Sequence, residues 1–158
     1  MASAATSGIT FPTIMRILTT LLALSGSLQA AEILFDAFES DGFGEWKVEG
    51  AAFGKSPTSS SPTGMNGIVK KYANLYYVSS AHQGDASTGS LTSPEFKIQL
   101  PNIAFLVSGG KHPGKTAVQL FVDGEITHEA TGQNDLTMRP TIWDVSGLKG
   151  KTAQLRII

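Results

Sequence analysis

Between Thr116 and Val122 the chain alternates: Val118, Leu120 and Val122 fall on one face of an extended strand, Gln119 and Phe121 on the other. A period of two places successive side chains on opposite faces of a sheet and does not match the apolar stripe of a helix. Asp123-Gly124 follows, a pair suited to the left-handed angles of a tight hairpin turn, and Glu125 to Ala130 reads as the returning strand. Further strands are expected at Ile33 to Phe38, Trp46 to Glu49, Tyr72 to Val78, Phe96 to Ile98, Thr141 to Val145 and Thr152 to Ile158. Ile103-Ala104-Phe105-Leu106-Val107 is apolar without a break, which predicts a central strand buried on both faces. Turn residues separate nearly every pair of these segments, and no amphipathic helical stretch of useful length intervenes. The expected fold is therefore all-β, an antiparallel β-sandwich of jelly-roll type over residues 32–158.

Two stretches depart from this rhythm. Ser56 to Gly67 is a long polar loop, read as a mobile connection, with a functional rim as the alternative. The last residues, Leu155-Arg156-Ile157-Ile158, are an apolar strand with no turn behind it, so the sandwich is expected to be C-terminally incomplete and to leave an apolar edge open.

Residues 1–31 read as a signal peptide region. Arg16 is followed by the apolar run Ile17 to Leu24 and then by small and polar residues through Ala31, the order of a secretory leader. The run is shorter than the roughly 20 residues that cross a bilayer. Met15-Arg16 has the form of a natural leader start, which makes Met15 the expected true start and Met1 to Ile14 an upstream extension. The expected location is secreted or periplasmic.

Charge and cysteine content remove whole classes of chemistry. Twelve Lys and Arg against thirteen Asp and Glu give a net charge of −1, so a nucleic-acid partner is not expected. Without cysteine there is no disulfide, thiolate nucleophile, iron–sulfur cluster or Cys-ligated zinc. Gly109-Gly110-Lys111-His112-Pro113-Gly114-Lys115-Thr116 fits the phosphate-loop pattern letter for letter. That chemistry needs a helix beginning at the Lys-Thr pair, and the residues that follow alternate as a strand, so no nucleotide is expected. His128-Glu129 opens like a zinc-helix motif, but Gly132 stands where the second histidine belongs. His82 and His112 lie in separate loops, and no Gly-x-Ser-x-Gly elbow occurs. Glu45, Glu49, Asp123, Glu125 and Glu129 sit where strand edges and turns carry carboxylates. Among the aromatics that sugar rings stack on, Trp46, Trp143, Tyr72, Tyr76 and Tyr77 are available, against the alternatives of a core position for Trp143 and an anchor of the first strand for Trp46.

Taken in order, Phe38-Glu39-Ser40, Glu45 to Gly50, Ala52-Phe53-Gly54, Gly84 to Phe96, the Gly109 to Thr116 loop, Leu120 to Gly124, Ala130 to Asn134 and Trp143 to Ser146 carry a resemblance. They resemble the N-terminal β-sandwich accessory domain placed before the catalytic propeller of secreted bacterial fructan hydrolases, the levanase and invertase type of glycoside hydrolase family 32. The resemblance spans nearly all of the mature chain. It implies a carbohydrate partner, with fructans such as levan, inulin or sucrose leading, and a propeller in the full-length protein. The family's catalytic residues do not carry over, because Met65-Asn66 is followed by Gly67 where the propeller would begin its nucleophile segment. The family's loop positions fall on Asp85, His112 and Asn134, beside the backbone of Gly110. By resemblance these share one rim, where they either bond sugar hydroxyls or hold the loops together. No cofactor is implied beyond a structural calcium of the kind common in such sandwiches, for which Glu39 and Asp144 are the expected ligands. The alternative function is purely structural, a domain that packs on the propeller and binds nothing.

Overall fold

The computed structural model describes residues 32–61 and 67–158. Met65-Asn66 and the leader region, including Met15, lie outside them. The described residues form strands β1 (Lys47–Gly50), β2 (Gly89–Thr92), β3 (Phe96–Lys97), β4 (Asn102–Gly109), β5 (Val118–Val122), β6 (Glu125–Ala130), β7 (Asp135–Asp144) and β8 (Thr152–Ile157), with one short 3-10 turn at Ser146–Leu148. The larger sheet runs β1-β2-β8-β5-β6, with β3 also paired to β8, and the smaller pairs β4 with β7. Every strand pair is antiparallel. The all-β expectation holds.

The Asp123-Gly124 hairpin forms as its residues dictate. Both carry positive φ, 55° and 83°, and Val122 pairs with Glu125 across the turn. Further along the hairpin the register slips between Leu120 and Phe121, which leaves Thr127 as an extra residue. Its hydroxyl donates to the Leu120 carbonyl at 3.2 Å.

The sheets are joined by a core of Ile98, Leu120, Val122, Trp143, Val145 and Ala153, with Ile103 and Phe105 of β4 packed against it. Trp143 and Phe105 meet edge to face at 4.7 Å. A second core gathers Phe43, Trp46, Ala52, Phe53 and Leu91. Leu155 on β8 touches both. Both tryptophans are buried, and the Trp46 indole N–H donates to Asp36 Oδ2 at 2.7 Å.

Several strand expectations are corrected. Ile103 to Val107 lies in β4, an edge strand paired only with β7 and packed on one face: Ile103 and Phe105 lie against the core, while Ala104 on the alternate face is exposed. Ile33 to Phe38 forms no strand: Asp36 Oδ1 takes the Phe38 amide at 2.7 Å, and Phe38 itself has φ of 55°. Tyr72 to Val78 makes only an isolated bridge, Tyr77 to Thr58, because the Glu39 carboxylate accepts the Leu75 and Tyr76 amides that a ladder would use. The chain's last strand, β8, is no open edge. It is hydrogen-bonded to β5 on one side and to β2 and β3 on the other, as an interior strand.

Candidate functional site

The strand registers gather the loops that matter at one end of the larger sheet. Gly50 pairs with Gly89, Leu91 with Ile157, Ile157 with Val118, and Val118 with Ala130. The segments leaving β1, entering β2, entering β5 and leaving β6 therefore emerge together. Asp85, Gly110, His112 and Asn134 all belong to this end. They form two groups, however, because Asp85 precedes β2 while the other three flank β5 and β6, and two strand spacings amount to about 10 Å. No hydrogen bond among the described residues joins Asp85 to the others.

Gly110, His112 and Asn134 do come together, and most of their polar capacity goes into their own loops. Asn134 stands at φ 61°, its amide donates to the Gly109 carbonyl at 2.7 Å, and its Oδ1 accepts the Lys111 amide at 2.8 Å. The His112 imidazole lies against Gly110, where a Cβ would come within 2.7 Å of the ring. The His112 carbonyl accepts the Lys115 and Thr116 amides. On the far side Glu129 latches the loop: its Oε1 accepts the Gly114 amide at 3.1 Å and its Oε2 accepts Gln119 Nε2 at 2.7 Å. Of the two roles implied for this rim, holding the loops together describes Asn134. The exposed His112 ring and the exposed Asp85 carboxylate have no side-chain hydrogen bond among the described residues.

Glu39 and Asp144, the two calcium candidates, are each engaged with backbone amides: Glu39 caps the Leu75 and Tyr76 amides and Asp144 Oδ1 accepts the Ser146 amide at 2.9 Å. The Ser146 hydroxyl and amide hold the Asp144 carboxyl below its usual range. No cluster of three metal-ligating side chains occurs among the described residues. The His82, His112 and His128 rings likewise share no centre; His128 instead packs 5.5 Å from the Trp143 ring.

The feature that sequence reasoning missed lies on the Asp85 side of the same sheet end. Phe53, Ser56, Thr58, Ser60, Ser61, Ser79 and His82 line a cleft of about 260 Å³. Buried Phe53 enters it from the second core. The described part of the polar loop, read from sequence as mobile, is pinned: Thr58 and Tyr77 exchange backbone bonds at 2.9 Å, and the Tyr77 hydroxyl donates to the Ser60 carbonyl at 3.0 Å. Burial pushes the Tyr77 phenol above its usual range, partly offset by the neighbouring Ser61 hydroxyl. His82 is set by its amide, which donates to the Ala52 carbonyl at 2.9 Å, and by Gly54, where any Cβ would strike the ring at 2.7 Å. The available sequence signal was the density of hydroxyls from Ser56 to Ser61, which has no periodicity and reads equally as a loop.

No family model matches this chain, and no solved structure matches it. A curated protein of Aspergillus rugulosus with the name "Putative glycosyl hydrolase ecdE" is 35% identical over 129 residues. The match takes in 80% of this chain and 18% of that protein, so the chain spans less than a fifth of its relative's length. The relation is thus to a protein carrying a glycosyl hydrolase name.

Proposed function

We propose that this chain is a carbohydrate-recognition β-sandwich of a secreted or periplasmic glycoside hydrolase, with fructans of the levan, inulin or sucrose type as ligands. The observation that carries this reading is the extent of the match. Four-fifths of the chain is homologous to a small segment, 18%, of a protein with a glycosyl hydrolase name, which suits an accessory unit beside a separate catalytic domain. Such a domain is the partner expected from the resemblance to family 32, as a propeller. The geometry agrees in kind. Loops from four strands gather at one sheet end, with hydroxyls and an imidazole facing solvent, while Glu39, Glu129 and Asp144 are engaged with backbone amides. Weak binding by such a unit is useful because tethering raises the local concentration of substrate.

Titration calorimetry of the chain against levan, inulin and sucrose tests the reading, with a reducing-sugar assay beside it. Saturable heat with at least one of them and no sugar release is expected. Release of reducing sugar would make the chain an enzyme, and absence of heat with all three would favour the structural reading. One observation speaks for that second reading: Ile142 is 67% exposed on the outer face of the smaller sheet, beside exposed Pro140 and Ala104. An apolar strand face of this kind suits packing against a neighbouring domain.

A further inference from the structure

We infer that the cleft between the segment 53–61 and the turn carrying Ser79 and His82 is a binding site for a neutral sugar, and that it, and not the His112–Asn134 rim, makes the principal contact. The inference rests on the carbohydrate-recognition reading and names the site and ligand class within it.

Three observations carry it. The first is chemistry: the lining supplies hydroxyls from Ser56, Ser60, Ser61 and Ser79 with the His82 imidazole, and no Asp, Glu, Lys or Arg. A hydroxyl both donates and accepts, so such a wall matches the vicinal hydroxyls of an uncharged sugar, whereas a uronate or phosphate would find no cation to pair with. Buried Phe53 forms the floor of the cleft.

The second is size. At about 260 Å³ the cleft lies just below the usual range of small-molecule pockets, roughly 300–1,000 Å³. That volume suits a small polar ligand better than a large aromatic cofactor.

The third is availability. The exposed Ser56 and Ser60 hydroxyls and the exposed His82 ring have no side-chain hydrogen bond among the described residues, whereas in the rim Asn134 and Glu129 are already bonded to their own loops.

The test uses the 158-residue chain with sucrose and short inulin as probes, and glucuronate as the charged comparator. Amide shifts in ¹H–¹⁵N spectra should move at Ser56, Ser60, Ser61 and His82, and much less at Lys111, His112 and Asn134. Ser56→Ala and Ser60→Ala should each weaken binding roughly three- to tenfold. Both should leave the melting temperature of the free protein unchanged, since neither exposed hydroxyl is bonded among the described residues. His112→Ala should leave affinity unchanged. Shifts confined to the rim, or affinity lost in His112→Ala and kept in both serine variants, would overturn the cleft while leaving the carbohydrate reading intact. Preference for glucuronate would overturn the ligand class. Absence of binding to every probe would overturn the reading and the site together.

Discussion

Gly132 presses on Gly109 so closely that a Cβ at Gly132 would stand 2.2 Å from the Gly109 carbonyl oxygen. The segment leaving β6 thus crosses the end of β4 with no room for a methyl group, and Asn134 ties the crossing by donating its amide to that same carbonyl at 2.7 Å. Because the atoms met are all Gly109 backbone, which cannot turn aside as a flexible side chain can, Gly132→Ala is expected to cost at least the roughly 1–3 kcal/mol of an overpacked core. Urea unfolding measures it, and a loss below about 0.5 kcal/mol, the range of an ordinary surface change, would mean that the two loops are not apposed.

Asn134 contributes both its left-handed backbone and its Oδ1 bond to Lys111. Replacement by Gly keeps the first and loses the second, whereas Ala loses both. Losses of about 1 kcal/mol for Asn134→Gly and about 2 kcal/mol for Asn134→Ala are expected in the same unfolding experiment. Equal losses would indicate that the backbone angle carries no strain.

Acid sensitivity follows from Asp135 and Arg139. The guanidinium grips the carboxylate at two points, 2.7 and 2.6 Å, and with the Thr137 amide lowers the Asp135 pKa from its ordinary 3.8 to about 2. A carboxylate depressed on folding contributes stability that is fully present above its unfolded value and is lost as the pH falls towards the folded one. The urea midpoint should therefore stay level down to about pH 5 and decline between about 4 and 2, a limb that Asp135→Asn makes shallower. The limb will not vanish, since Lys47 lowers Glu49 and Ser146 lowers Asp144 in the same direction. An unaltered limb in Asp135→Asn would show that the pair does not persist in solution.

Burial separates Leu120 from Ile142. Leu120 is wholly buried between the sheets, while Ile142, next to the buried Trp143, points outward. Leu120→Ala is expected to cost about 2–5 kcal/mol through the cavity it leaves, and Ile142→Ala less than about 0.5 kcal/mol. A large loss at Ile142 in the monomer would place that side chain in a packed interface.

The phosphate-loop pattern from Gly109 to Thr116 should be silent towards nucleotides. Ala117 exchanges backbone bonds with Ile158 at 3.1 and 2.9 Å, and the chain enters β5 at once, so no helix N-terminus faces the loop. Calorimetry with magnesium ATP should give no saturable heat; saturable binding that disappears in Lys115→Ala would show otherwise.

What the sequence determined by itself was local. Alternation at Val118, Leu120 and Val122, with Asp123-Gly124 behind it, sufficed for the hairpin, because a turn's angles and a strand's faces depend on neighbouring residues alone. The strand replacing a helix after Lys115 was legible for the same reason, as were the buried tryptophans. Partnership was not legible. Gly89-Ser90-Leu91-Thr92 carries too weak a pattern to announce β2, and the apolar run in β4 suggested a covered strand although only β7 lies beside it. Nothing in Leu155 to Ile158 tells that β8 runs between β5 and β2, since that depends on hydrogen bonds to residues some 35 to 66 positions earlier. The site followed partnership. Asp85, His112 and Asn134 reach one end of the sheet through register, and the hydroxyls from Ser56 to Ser61 become a cleft only when Tyr77 pins their loop near Ser79 and His82. Tertiary structure alone decided this, because isolated hydroxyls have no periodic signal and acquire a direction only from the chain packed against them.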